Sequence, residues 1–166
     1  MMITQLTMEM TRYYCGQPLR IQHFMKVHGY CKTIGILEGL SAEQLYTLEI
    51  TGLVHDIGIK VAEEKYGSCA GPLQEKEGPP VARPMLRKLG VDEDVIDRVC
   101  FLVEHHHTLD KVDGLDYQIL LEADFLVNAF EDSMEKTAIS TVMERVFRTN
   151  TGKELLATMF DLPQKI

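Results

Sequence analysis

Residues 119–130 read ILLEADFLVNAF. They show no alternation at period two. Apolar side chains fall almost all round a helix of about 3.6 residues per turn, which predicts an interior α-helix over roughly residues 116–130. One carboxylate, Asp124, is set in the middle of that apolar run. Its burial costs several kcal/mol unless a proton or a cation sits beside it. A salt bridge to an Arg or Lys of another helix would satisfy it as well as a metal ion would. Glu122, two positions away, points to a different side, toward solvent or a partner outside the immediate site.

Outward from this segment the periodicity stays helical. A long helix begins after Pro18 and runs to about Leu37, since proline suits a first helical turn. Ser41 and Gln44 form a capping box in S-A-E-Q, opening a second helix that ends near GLVHDIG. Residues 66–79, YGSCAGPLQEKEGP, hold glycines and prolines and predict a loop. Pro80 can open a helix that stops at Gly90, with its first turns distorted by Pro84. Asp92 is placed to cap a helix leading into His105, His106 and His107. A loop at Asp113 and Gly114 precedes the 116–130 helix. Another helix follows Ser133, and a short last one contains Leu155, Leu156, Met159 and Phe160. These signals predict an all-α, single-domain helical bundle, with an N-terminal extension over 1–17, a core over 18–130 and C-terminal helices over 131–166 packed on it.

The chain has 166 residues, ample for one buried core. With 17 Lys and Arg against 25 Asp and Glu, its net charge is −8. That field disfavours long nucleic acid, whose binding rests on clustered cations. It leaves room for a small phosphorylated substrate beside a local cation. Cys15, Cys31, Cys69 and Cys100 form no CxxC pair. The N-terminal MMITQLTMEMTRYY has no uninterrupted apolar block, and no run approaches the roughly 18 apolar residues of a membrane span. The expectation is a reduced, cytoplasmic protein with no membrane contact; a homo-oligomer is left open.

Two of the three groups into which the six histidines fall have a carboxylate close in sequence, a donor mixture suited to divalent ions such as Mn, Fe, Ni, Zn and Co. His55 and Asp56 end the apolar stretch TGLV. Neighbours on a regular helix point about 100° apart, but both can reach one ion where a helix terminates. The plainer alternative is a turn carboxylate beside a satisfied core histidine. On the first helix, counting about 100° per residue from His23, Val27 falls near 40°, Ile34 near 20° and Cys31 near 80°, while His28 falls near 140° beside Lys32. His23 therefore points inward and His28 to the polar margin.

Arg20, His23 and Val27 in R-x-x-H-x-x-x-V, then L-V-H-D-I-G over residues 53–58, then an interior Asp124, resemble the HD-domain superfamily of metal-dependent phosphohydrolases. The likeness spans about residues 18–130, with 32 residues from His23 to His55 and 68 from Asp56 to Asp124. It implies an HD-type helical core and one divalent metal (Mn, Fe, Ni, Zn, Co or Mg) held by His23, His55, Asp56 and Asp124. Some members bind a second ion; that resemblance points to Glu77, where the family usually has histidine, and to His105 and His106. Arg20 and Lys60 are the expected phosphate contacts, although this Lys stands one residue later than in the family's H-D-x-G-K. The implied activity is metal-assisted hydrolysis of a nucleotide or other small phosphate ester, with Asp56 holding the metal. The cyclic-dinucleotide branch carries G-Y-P after its histidine pair, whereas this chain reads D-G-L-D-Y-Q. The rival functions are a catalytically inactive HD domain sensing a nucleotide or metal, and a helical interaction module.

Overall fold

The Ser41 capping box forms with both of its bonds: the Ser41 hydroxyl accepts from Gln44 N at 3.2 Å, and Gln44 Oε1 accepts from Ser41 N at 3.1 Å. The computed structural model describes residues 2–163. Its helices are α1 (Met2–Tyr13), α2 (Pro18–Leu37), α3 (Ala42–Val54), α4 (Ile59–Tyr66), α5 (Gly71–Lys88), α6 (Glu93–His105), α7 (Leu115–Glu131), α8 (Lys136–Val146) and α9 (Asn150–Phe160), with a 3₁₀ turn at Leu109–Lys111. The described residues contain no strand, and none of their helices is long and apolar enough to cross a membrane. The protein is all-α, as the periodicity predicts.

Helix α3 occupies the centre, packed by α1, α2, α6 and α7. Its last eight residues, Thr47 to Val54, are all buried. On one side Leu48 joins Val27, Ile34, Leu120, Ala123, Val127, Phe147 and Leu156 in a core shared with α2, α7 and α9. On the other, Ile50, Leu53 and Val54 join Leu6, Met10, Phe24, Leu86, Ile96 and Val103. Each large aliphatic side chain withdrawn from water contributes roughly 1.5–3 kcal/mol. Helix α7 is equally interior, with Tyr117, Ile119, Leu120, Ala123, Leu126 and Ala129 all fully buried. Polar groups on these two helices must therefore find partners inside the protein.

Residues 1–17, expected as an extension, include α1, which contributes Leu6 and Met10 to the core, joined by Tyr14 just after it. Tyr14 Oη donates to the Asp56 carbonyl at 2.7 Å and Tyr13 Oη to the Ile57 carbonyl at 3.2 Å, tying α1 to the turn after α3. The expected loop over 66–79 is helical from Gly71 onward, although Pro79, Pro80 and Pro84 lie inside α5. Burial of Gln74, Glu77, Gly78, Ala82 and Leu86 against α4 and α6 outweighs the lost donors, an instance of tertiary packing overriding propensity. Asp92 holds the N-cap position of α6 but makes no side-chain cap bond. The expected 131–166 unit packs through Ile139, Phe147 and Leu156; residues 164–166 lie outside the described residues. Glu122 is not at solvent. It is fully buried and accepts from Arg148 N at 2.6 Å, Thr149 N at 3.0 Å, Gln118 Nε2 at 2.7 Å and the Thr149 hydroxyl, which joins α7 to the start of α9.

Candidate metal centre

The buried run of α3 ends at Val54, and residues 55–58 turn the chain into α4. Ile57 N donates to Val54 O at 2.9 Å and Ile59 N to Asp56 O at 3.0 Å, so the regular helix relaxes where His55 and Asp56 stand. The tyrosines of α1 hold the same turn from outside. This geometry lets two consecutive side chains face one point.

His23 from α2 and Asp124 from α7 meet them there. His23 Nε2 lies 3.2 Å from His55 Nε2, 3.2 Å from Asp124 Oδ1 and 3.4 Å from Asp56 Oδ2. His55 Nε2 is 3.5 Å from both Asp56 Oδ2 and Asp124 Oδ1. The other oxygen of Asp56, Oδ1, is 3.3 Å from His106 Nε2 at the end of α6. His23 is 8% exposed, Asp124 9%, His106 2% and His55 fully buried.

Each imidazole of the cluster is held by its outer nitrogen. His23 Nδ1 bonds Glu131 Oε2 at 2.8 Å, His55 Nδ1 the Gly52 carbonyl at 3.0 Å, and His106 Nδ1 the Val103 carbonyl at 2.8 Å. Donation from Nδ1 places a lone pair on Nε2, directed inward. Two Nε2 lone pairs 3.2 Å apart repel unless something positive lies between them. His106 Nε2 is buried and makes no regular hydrogen bond, its nearest partner being the Asp56 carboxylate at 3.3 Å. These donors fit a divalent ion, because imidazole nitrogen and carboxylate oxygen are the ligands such ions take. His23, His55 and Asp56 can offer one ligand atom each to a common point, and so can Asp56, His106 and His107.

The local field favours a positive charge at this point: a proton on the imidazole where no ion is bound, which a metal would displace on binding. Burial alone pulls the His23 imidazole toward neutrality, but the Asp124 bond and the charges of Asp56 and Asp124 outweigh it and raise its pKa to about 9. Burial would also raise the Asp56 and Asp124 carboxyls. The facing histidines hold both below the usual carboxylate range. Two neighbouring carboxylates, one buried and one partly so, kept ionised together are a cation-attracting pair.

Other expected site residues lie elsewhere. Glu77 does not join the cluster: Lys65 Nζ at 2.6 Å and Tyr66 Oη at 2.8 Å take its two oxygens, and the Lys65 bond holds its carboxyl below the usual range. His105 turns away, with Nδ1 on the Phe101 carbonyl at 2.8 Å and its ring against that of Phe101. Successive residues at a helix end diverge, and His106 takes the inward direction. His107, the third histidine of the triplet from which the sequence could not choose a ligand, lies against His106 with 3.9 Å between ring centres and reaches Gln74 Oε1 at 3.4 Å. Lys60 is directed to α1, donating to Tyr13 O at 3.3 Å and lying 5.0 Å over the Tyr13 ring. Arg20 pairs with Glu63 at 2.6 Å and lies over Tyr14, yet its buried Nη1 has no partner.

His28 stays outside the cluster, bonded through Nε2 to Glu49 at 3.0 Å. His23→Ala is therefore expected to lose most bound metal, while His28→Ala keeps metal content near that of the wild type. Elemental analysis of the two purified variants checks this; equal loss in both would refute the facial argument.

The sequence matches no protein-family model and no curated protein. Among solved structures, the chain is similar to the crystal structure of a predicted HD superfamily hydrolase from an uncultured Thermotogales bacterium. The TM-score is 0.65 at 24% identity, over 96% of this chain and 83% of that one. A likeness of that extent shows the fold, which is of the HD-domain type.

Proposed function

We propose that this chain is a metal-dependent phosphohydrolase acting on a nucleotide or other small phosphate ester. The observation that carries the reading is the convergence of three anchored imidazoles, His23, His55 and His106, on Asp56 and Asp124, with His106 Nε2 buried and facing only the Asp56 carboxylate. His23, His55, Asp56 and Asp124 would hold one divalent ion. Asp56 turns its second oxygen toward His106, with His107 beside it, and so offers a place for a second ion that does not involve Glu77 or His105.

A bound divalent ion supplies a nucleophilic water near neutral pH, by lowering its pKa from 15.7 to about 7, together with Lewis-acid neutralisation of phosphoryl charge. The chain's own residues do the rest. Glu131 and the Gly52 carbonyl hold His23 and His55 in one tautomer, and the Tyr14 hydroxyl holds the backbone of Asp56. Arg20, one turn before His23 on α2, has a donor left to steady a phosphate. That local cation matters in a protein of net charge −8. The neighbouring hydrolase fold supports the reaction class.

The test is turnover by Mn²⁺- or Co²⁺-loaded protein across nucleoside mono-, di- and triphosphates and cyclic nucleotides. Release of phosphate or nucleoside from at least one is the expected result. Metal-loaded protein that binds one of these tightly and hydrolyses none would identify a sensor instead.

A further inference from the structure

Helix α2 carries two His–Lys pairs, each meeting a glutamate from another helix. In one, His23 and Lys26 meet Glu131; in the other, His28 and Lys32 meet Glu49. The pairs differ in which imidazole nitrogen takes the carboxylate. His28 uses Nε2, at 3.0 Å from Glu49, and belongs to no cluster of metal-ligating atoms among the described residues. His23 uses Nδ1, at 2.8 Å from Glu131 Oε2, which leaves Nε2 facing His55, Asp56 and Asp124.

Glu131 stands seven residues after Asp124 on α7. Seven steps of about 100° return to within roughly 20° of the starting direction, so both carboxylates lie on one face two turns apart. The single helix α7 thus reaches both nitrogens of the His23 ring, Asp124 at Nε2 and Glu131 at Nδ1. The second oxygen of Glu131 is occupied by Lys26 Nζ at 2.5 Å, and Lys26 lies one turn after His23 on α2. The carboxylate is held from both sides and cannot rotate away from the ring without breaking an ion pair.

We infer that Glu131, anchored by Lys26, is a positioning residue for the metal centre. It holds His23 as the Nδ1–H tautomer with Nε2 aimed at the ion, and its charge makes that nitrogen a stronger ligand. The inference rests on the metal-centre reading given above. Carboxylates in this relation to a ligating histidine typically set metal affinity by about 10–100-fold.

The experiment is Zn²⁺ affinity by competition with a chromophoric chelator, together with the unfolding midpoint of each metal-free protein. Wild type, Glu131→Ala, Glu131→Gln and Glu49→Gln are compared. Glu131→Ala is expected to bind zinc about 10–100-fold more weakly than wild type. Glu131→Gln keeps an acceptor oxygen and should recover part of that loss. Glu49→Gln should stay within about twofold of wild type, since the bond it alters faces no ligand. Glu131→Gln, isosteric with the native residue, decides the matter should the alanine variant not fold. The inference is overturned if the folded Glu131 variants bind zinc as tightly as wild type. A loss in Glu49→Gln as large as in Glu131→Gln also overturns it, because affinity would then follow the general packing of α2. Wild-type protein that binds no zinc contradicts the metal centre itself, a separate and recognisable result.

Discussion

Asp56→Ala is expected to lower phosphate-ester turnover by about 10³-fold or more, because one side chain serves both halves of the cluster. Its Oδ2 faces His23 and His55 and its Oδ1 faces His106, so truncation removes the group common to all three imidazoles. The metal-free fold should survive. The facing histidines outweigh burial and the Asp124 charge and hold the Asp56 carboxyl low, so truncation gives up that attraction while relieving the repulsion from Asp124. Asp56 stands at a partly exposed turn, whose backbone bond to Tyr14 does not depend on its side chain. A variant with near-native helicity and no turnover is thus the expected combination, measured as kcat/KM with Mn²⁺ beside circular dichroism. Turnover within tenfold of wild type would show that Asp56 does not organise the chemistry.

Gly58→Ala should have the largest effect on stability. A Cβ there would stand 2.3 Å from the Gln74 carbonyl oxygen and 2.7 Å from Gly78 N. Both are backbone atoms of α5, so no side chain can swing aside to make room. The Gly58 backbone, with φ −72° and ψ −20°, is open to alanine, which leaves the collision as the whole cost. Separating α5 from the turn after α3 should cost about 3 kcal/mol. At roughly 2–4 °C per kcal/mol for a chain of this size, the unfolding midpoint should fall by about 10 °C. Gly29→Ala is the matching control. It sits inside α2 with nothing within 4 Å of an added Cβ, and should stabilise the protein by up to about 1 kcal/mol. Calorimetry of the two variants checks both signs; a Gly58→Ala midpoint unchanged from wild type would contradict the close approach of the two backbones.

The sequence was most informative where one local rule had no competitor. The Ser41 box, the proline start of α2 and the apolar circumference of α7 each depend on residues a few positions apart, and each predicts the helix found. The inward direction of His23 and the marginal one of His28 follow from one angle along a single helix. Asp124 was legible because an isolated carboxylate in an apolar run demands a partner.

Where packing between distant segments decides, the same rules were insufficient. Prolines and glycines mark residues 66–79 as a loop, but burial against α4 and α6 makes the stretch from Gly71 helical. Glu77 stands at a position expected to ligate, yet Lys65 and Tyr66, twelve and eleven residues before it, take both its oxygens. Within the triplet at the end of α6, the choice of His106 over His105 depends on the exact exit angle of that helix. Glu131 could have been found from its spacing of seven from Asp124 on a helix already recognised. The part of α1 in holding the Asp56 turn had no such signal, since Tyr13 and Tyr14 act more than forty residues away.

The most direct test is anomalous diffraction from crystals of the zinc-loaded protein. The account predicts an ion about 2.0–2.3 Å from His23 Nε2, His55 Nε2 and a carboxylate oxygen of each of Asp56 and Asp124. An ion bound elsewhere, or none at saturating zinc with Asp124 paired to a lysine or arginine instead, would contradict it.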